Sequence, residues 1–326
     1  MNTIMPTEIK VLDNLLALNL NISLWSARKK LNTEDFGGVE LPPEDLATLG
    51  SKRIAPPEKL RIFSTLKARA FSYLDRHGVR FLGGWAIPEE KAGDIIAELS
   101  TIRDEFNAQK EIFLNGYNEC IQDWIDQHAS WGNIIADSTV GPDYVRARMG
   151  FVWQMYKVAP LMQHADEQAI INAGLSEEVE NLGNTLFSEV AKTADDIWTN
   201  VYEGKTEVTH KALSPLKTLQ AKLKGLSFIE PHIAPLTEII QMAFNRMPKK
   251  GNIMGTNLLV LQGLVCMLKH PEEMLRHSQK LIEGYGPATV LDAFLHTSEA
   301  EIILPDMPQG MSIPQLSTAI PSMGLW

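Results

Sequence analysis

The chain has 326 residues, 44% hydrophobic and 21% charged, which is a globular composition with length for one large or two ordinary domains and excludes a disordered chain. Its net charge of −10 excludes a wholesale nucleic-acid coat, since phosphate binding is driven by positive charge, and leaves room only for a local basic face. Cys120 and Cys266 stand in no metal or redox spacing and point to a reducing, cytoplasmic compartment. Residues 1–10 lack a basic region followed by an apolar run, so no signal peptide is expected.

Leu18, Leu20, Ile22 and Leu24 alternate with Asn19, Asn21 and Ser23, the period of two that marks a half-buried strand. Its natural partner is the apolar, glycine-rich run 79–87, inside the corner 75–90, and the two are expected to pair as a small β-ribbon. Thr33-Glu34-Asp35 and Pro42-Pro43-Glu44-Asp45 read as starts of short helical turns. A helix is expected from 56 to about 77, with Ile62, Phe63, Leu66, Ala70, Tyr73 and Leu74 on one face. Gly78 is read as its stop, a residue with no penalty at positive φ, and Pro88 as the opening of the next helix.

From 88 to about 130, Ile95, Leu99, Ile102, Phe106, Phe113, Tyr117, Cys120 and Trp124 step by threes, fours and one seven, which reads as a heptad seam. Val145, Met149, Val152 and Tyr156 repeat that spacing, as do Leu175, Val179, Leu182, Leu186, Val190, Ile197 and Val201, in a helix with Ser176 read as its cap. Matching seams predict long helices packed side by side. Beyond Gly204 shorter helices are expected over 213–228, 233–247, 257–269 and 271–285, with 258–268 as the central one. That apolar window is about half of the ~20 residues a membrane span needs, so no span is expected. Residues 301–326 hold four prolines, no Lys or Arg, and end in Trp326.

Several runs carry a family resemblance. They are Leu-Asn-Ile-Ser-Leu-Trp-Ser-Ala-Arg-Lys-Lys-Leu at 20–31, the corner 78–88, and Gly204-Lys205-Thr206-Glu207-Val208-Thr209 with Leu213-Ser214-Pro215-Leu216. Over roughly 16–284 the chain resembles the bacterial domain-of-unknown-function family 3150. The resemblance implies a setting on plasmids, integrative elements or phages. It also implies partners there: a MoxR- or cobaltochelatase-like AAA+ ATPase and a von Willebrand A-type (VWA) protein. No catalytic residue can be carried over from it.

The residues themselves offer few chemical motifs. Gly204-Lys205-Thr206 resembles the end of a phosphate loop, but Thr199 occupies the place of its first glycine. His270, Glu273 and His277 have helical spacing for a metal, though a solvated polar face is the preferred reading. Cys120, Trp124 and His128 share a face and read as core. Arg76, His77, Arg80 and Trp85 at the corner, with Arg146 and Arg148 on a later helix, are candidates to grip an anion or an acidic partner; helix-end solvation and internal ion pairs are the preferred alternative. Charge is segregated: 176–203 carries seven acidic residues and one basic, 205–250 eight basic and three acidic.

The expected fold is therefore mainly α: a long antiparallel helical hairpin or bundle, a small β-ribbon near the N-terminus and a compact C-terminal helical domain. The expected divisions are 1–87, 88–203, 204–300 and 301–326. The expected function is a non-enzymatic assembly or adaptor subunit, a homo-oligomer with no catalytic residues, metal or cofactor, acting with the AAA+ ATPase and VWA partner in a mobile-element conflict or DNA-maintenance system. One alternative is a nucleic-acid-binding module using Lys217, Lys222 and Lys224 of the basic region. Another is an enzyme whose site is assembled from distant residues. Trp326 is the candidate anchor of the apolar tail.

Overall fold

A computed structural model describes residues 11–36, 50–160 and 165–296. Strand β1 (Leu15–Ser23) uses both of its faces. Leu18, Leu20 and Ile22 enter one core, while Leu15 and Ala17 enter a second core on the opposite side. The chain next forms a two-stranded ribbon, β2 (Arg28–Lys30) with β3 (Ser51–Arg53). Helix α1 (Pro57–His77) and the hairpin β4 (Val79–Phe81) and β5 (Gly84–Pro88) follow. Helices α2 (Ala92–Asn115), α3 (Tyr117–Gln127), α4 (Gly132–Ala136) and α5 (Pro142–Arg148) lead into β6 (Gly150–Tyr156). In the order β4-β5-β1-β6 these strands make one antiparallel sheet.

Next come α6 (Ala165–Glu180), α7 (Leu182–Ile197), β7 (Glu207–Val208), α8 (Leu213–Gly225), α9 (Ile233–Arg246), β8 (Ile253–Met254), α10 (Gly255–Leu268), α11 (Pro271–Ile282) and α12 (Pro287–His296). The first core packs Trp85, Ile87 and Phe151 of the sheet against α1 and α2 through Phe63, Leu99 and Phe106. The second packs Val79, Phe81 and Ala86 against the helices from α7 onward. Each fully buried aliphatic or aromatic side chain contributes about 1.5–3 kcal/mol, so two cores on one sheet lock its register. No helix among the described residues is long and apolar enough to cross a membrane.

This is a mixed α/β fold, and it overturns the expected mainly α architecture built on a long helical hairpin or bundle; no such hairpin spans 88–203. Residues 150–156 are the reason. Read at helical spacing they supply Val152 and Tyr156 to a seam, but as a strand they send Phe151 inward and leave Val152 58% exposed. Residues 88–130 also break: a 3-10 turn at Glu89–Lys91 precedes α2, and Gly116 separates α2 from α3. Ser176 lies inside α6 and caps nothing. The expected pairing of 18–24 with 79–87 is present, but within the four-stranded sheet rather than as a small ribbon.

The corner is a hairpin whose two-residue loop, Leu82 (φ 48) and Gly83 (φ 74), has positive φ at both positions, as a type I′ turn requires. Gly84 is needed for a different reason: a Cβ there would lie 2.1 Å from the Leu18 carbonyl oxygen. Gly78 is extended (φ −128), so it does not stop α1 through a left-handed conformation. A Cβ on it would meet Ile87 Cδ1 at 2.5 Å, so close packing is what excludes a larger residue.

Candidate nucleic-acid interface

The ribbon departs from the first core at Trp25. Ala27 takes φ 53 and its carbonyl accepts from Ile54 N at 2.9 Å, while Leu31 N donates to Gly50 O at 3.2 Å. A left-handed alanine costs about 1–2 kcal/mol, and the buried Trp25, Ile54 and Ala55 hold it there. Five of the six strand residues are cationic, and Arg28 faces Arg53 while Lys29 faces Lys52. Like charges directly opposite on paired strands destabilise the pair.

Their compensation is partial. Lys52 forms an ion pair with Asp35, whose carboxyl is held below its usual range by that hydrogen bond and one from Asn32. Lys29 and Arg148 lie over the ring of the exposed Tyr144, at 5.9 and 5.2 Å from its centroid. Among the described residues, no carboxylate pairs with Arg28, Arg53 or the nearby Arg61.

Aromatic side chains flank the cations. Trp124 Nε1 donates to Arg53 O at 3.3 Å, and its ring lies 4.0 Å from that of His128. Trp131 is 58% exposed. With Leu31, Ile134 and Ile135 these rings line a largely apolar depression beside β3. Guanidinium groups facing each other across two paired strands and aromatic rings on their flank are the two components of a single-strand binding surface.

The residues singled out from the sequence lie elsewhere. Arg80 pairs with Asp75 at 2.9 Å and stacks 4.0 Å over Trp85. Trp85 is 2% exposed and donates from Nε1 to the same Asp75 oxygen at 2.8 Å. Lys222 is 7% exposed, bonded to Glu189 at 2.6 Å and to Asp75 O at 2.7 Å. Glu189 also accepts from Arg80 N at 3.0 Å. These groups form one internally satisfied knot that joins α1, the hairpin, α7 and α8. Lys222 is therefore a structural cation, in contrast to its reading as a nucleic-acid contact; Lys217 and Lys224 are exposed on α8. Arg76 bonds Ser72 O and lies over Tyr73, and the His77 ring stacks 4.6 Å from Tyr73, where burial and then Arg76 hold its pKa down. Arg146 pairs with Glu111. Trp326 lies outside the described residues.

His277 is buried, with Nε2 3.3 Å from Glu273, which Arg276 also engages. Among the described residues no three such side chains converge as metal ligands. Gly204 stops the α7 segment at φ 66 after a π-helical turn, Trp198–Tyr202. Sequence reasoning missed the ribbon, although Arg28-Lys29-Lys30 and Lys52-Arg53 were both in view. Their signal is a pairing across twenty residues, and no local pattern displays it.

Residues 12–270 match the sequence profile of the family described as a protein of unknown function, DUF3150. No curated protein and no solved structure matches the chain.

Proposed function

The chain belongs to the DUF3150 family, and from its own geometry we propose that it is a non-catalytic nucleic-acid-binding subunit whose basic ribbon takes the phosphate backbone. One observation carries this reading: Arg28↔Arg53 and Lys29↔Lys52 place like charges face to face, with both arginines unpaired among the described residues. A polyanion laid along the ribbon removes that repulsion and releases counterions. Trp131 and Trp124 give bases a surface beside it. Binding of labelled DNA and RNA is to be measured between 50 and 200 mM salt. Changing Arg28 and Arg53 together to glutamate should abolish it, and wild-type protein that binds nothing at low salt removes the reading.

A second reading, an assembly subunit, draws on β6, an edge strand that pairs only with β1 among the described residues, and on the exposed part of the sheet beside it. There Asn19, Asn21, Val152 and Tyr156 are exposed, beyond the reach of the helices that cover Ala17 and Ala86. Uncovered edges invite strand addition. The proposed partners are further copies of the chain, the AAA+ ATPase and the VWA-type protein of the family's setting, in the cytoplasm, with the 301–326 tail and Trp326 as a docking segment. Affinity purification from the native operon with mass measurement tests it. Recovery of the chain alone and monomeric rejects it.

A further inference from the structure

Behind the ribbon lies a cavity of about 530 Å³, within the range of small-ligand sites. Trp25, Leu60, Phe63 and Met149 form apolar walls, and Arg28, Arg53 and Arg61 stand at its rim. Trp25 is 8% exposed, and no described residue accepts from its indole N–H, which keeps contact with solvent. Among the described lining residues Glu58 is the one carboxylate, and it pairs with none of the three arginines.

We propose that this cavity takes one unstacked nucleotide of a single strand whose backbone lies on the ribbon, an inference that rests on the reading of the ribbon as a nucleic-acid surface. The base fills the apolar space and accepts from the Trp25 N–H. Its neighbouring phosphates meet Arg28, Arg53 and Arg61, whose planar forks suit phosphate oxygens. Glu58 accepts from an exocyclic amino group, as carboxylates do from cytosine. An acidic peptide matches this lining less well, since a carboxylate side chain brings no donor for Glu58 and no flat apolar body for the walls. A duplex presents no free base without unstacking one, whereas a single strand does so readily.

The test uses the full chain and fluorescence anisotropy at low salt, with a labelled mixed-sequence single strand, the matching duplex, and polyglutamate as competitor. The exposed Ser64 on α1 lines the cavity, so Ser64→Phe narrows it from the surface, and Trp25→Phe removes the indole donor together with part of the ring that packs on Phe113 and Tyr117. Wild-type protein should prefer the single strand. Ser64→Phe should lower single-strand affinity on the order of tenfold with duplex affinity and melting temperature unchanged, and Trp25→Phe should act in the same direction. Equal single-strand and duplex affinities, both indifferent to Ser64→Phe, overturn the nucleotide pocket and leave the ribbon reading standing. Absence of all binding by wild-type protein overturns both. Displacement by polyglutamate as effective as by unlabelled strand, charge for charge, assigns the surface to an acidic protein segment and overturns the pocket.

Discussion

The hairpin corner and the basic ribbon are built from the same residue types, and they have opposite electrostatic character. At the corner Arg80, Lys222, Asp75 and Glu189 sit with Trp85 in one network, and each charge has an opposite neighbour or a hydrogen bond within 3.0 Å. On the ribbon, five cations share two short strands; Lys52 is met by Asp35, while among the described residues no carboxylate pairs with Arg28 or Arg53. Cation content therefore does not mark a binding surface. What separates the two regions is whether the fold itself supplies the counter-charge. A satisfied network specifies structure, while an unsatisfied one is stable only as far as solvent or a ligand screens it.

The comparison breaks most visibly at Lys222. Lys222→Ala leaves Glu189 without its buried partner, and loss of one member of a buried pair costs about 3–5 kcal/mol. A denaturant midpoint well below wild type, with unchanged nucleic-acid affinity per folded molecule, is the expected result. Unchanged stability shows that the knot is not a structural centre.

The ribbon should respond with the opposite signs. Arg28→Glu places a carboxylate opposite Arg53, and an opposite-charge pair contributes about 0.2–1 kcal/mol where a like pair opposes pairing. Stability should rise slightly while affinity for nucleic acid falls. The salt slope should lose about 0.7 for each single-strand phosphate contact removed. A variant that is less stable, or that binds as before, sinks the idea that the ribbon is electrostatically unsatisfied.

Acid provides a third test, through two partly or fully buried imidazoles. Burial is the largest cause holding the pKa of His277 below its ordinary value, with Lys280 and Arg276 acting the same way and Glu273 opposing; burial likewise dominates at His77. Each folded pKa is thus depressed below an unfolded value near 6.5. Above about pH 6.5 both states hold the imidazoles neutral. As pH falls below it the unfolded chain binds the protons first, so stability declines until the folded pKa values are passed. Melting temperature should drop between about pH 7 and 5.5, and His277→Gln should flatten part of that decline. A melting temperature that rises on acidification contradicts the assignment.

Much of the fold was readable where punctuation and period agree. β1 alternates because one neighbour face is apolar and the other polar over most of its length. The helices beginning at Pro57 and Pro271 have proline in their first turn, and α8 to α11 were legible from their apolar spacing between prolines. β6 was misread because the step from Val145 through Met149 to Val152 fits a helix as well as Phe151, Trp153 and Met155 fit a strand. Only the pairing with β1 decides between them. The break at Gly116 was hidden because Phe113, Tyr117 and Cys120 keep helical spacing across it. The candidate site was the least legible part. Its strands have three residues each, too few for a hydrophobic period, and its charge pairing exists only once Arg28 and Arg53 are brought together.

The smallest expected effects lie at the two non-glycine residues with positive φ among the described residues, one in each region. Leu82 is exposed at the tip of the hairpin, and Ala27 is buried at the root of the ribbon. Asparagine tolerates the left-handed region better than leucine and favours type I′ turns before glycine. Leu82→Asn relieves strain of about 1 kcal/mol with little apolar burial lost, and should raise the melting temperature with no change in binding. At Ala27 the terms oppose each other. Glycine removes a left-handed penalty of similar size, but the unfolded chain gains about 0.4–1 kcal/mol of entropy and a buried methyl is lost. Ala27→Gly should therefore leave global stability near wild type while loosening the joint that aims Arg28. Amide exchange should quicken across β2 and β3 alone, and nucleic-acid affinity should weaken by about twofold, the equivalent of a few tenths of a kcal/mol. Exchange that quickens through β1 and α1 as well shows instead that the ribbon is part of the first core, and that the contrast with the corner is one of charge alone.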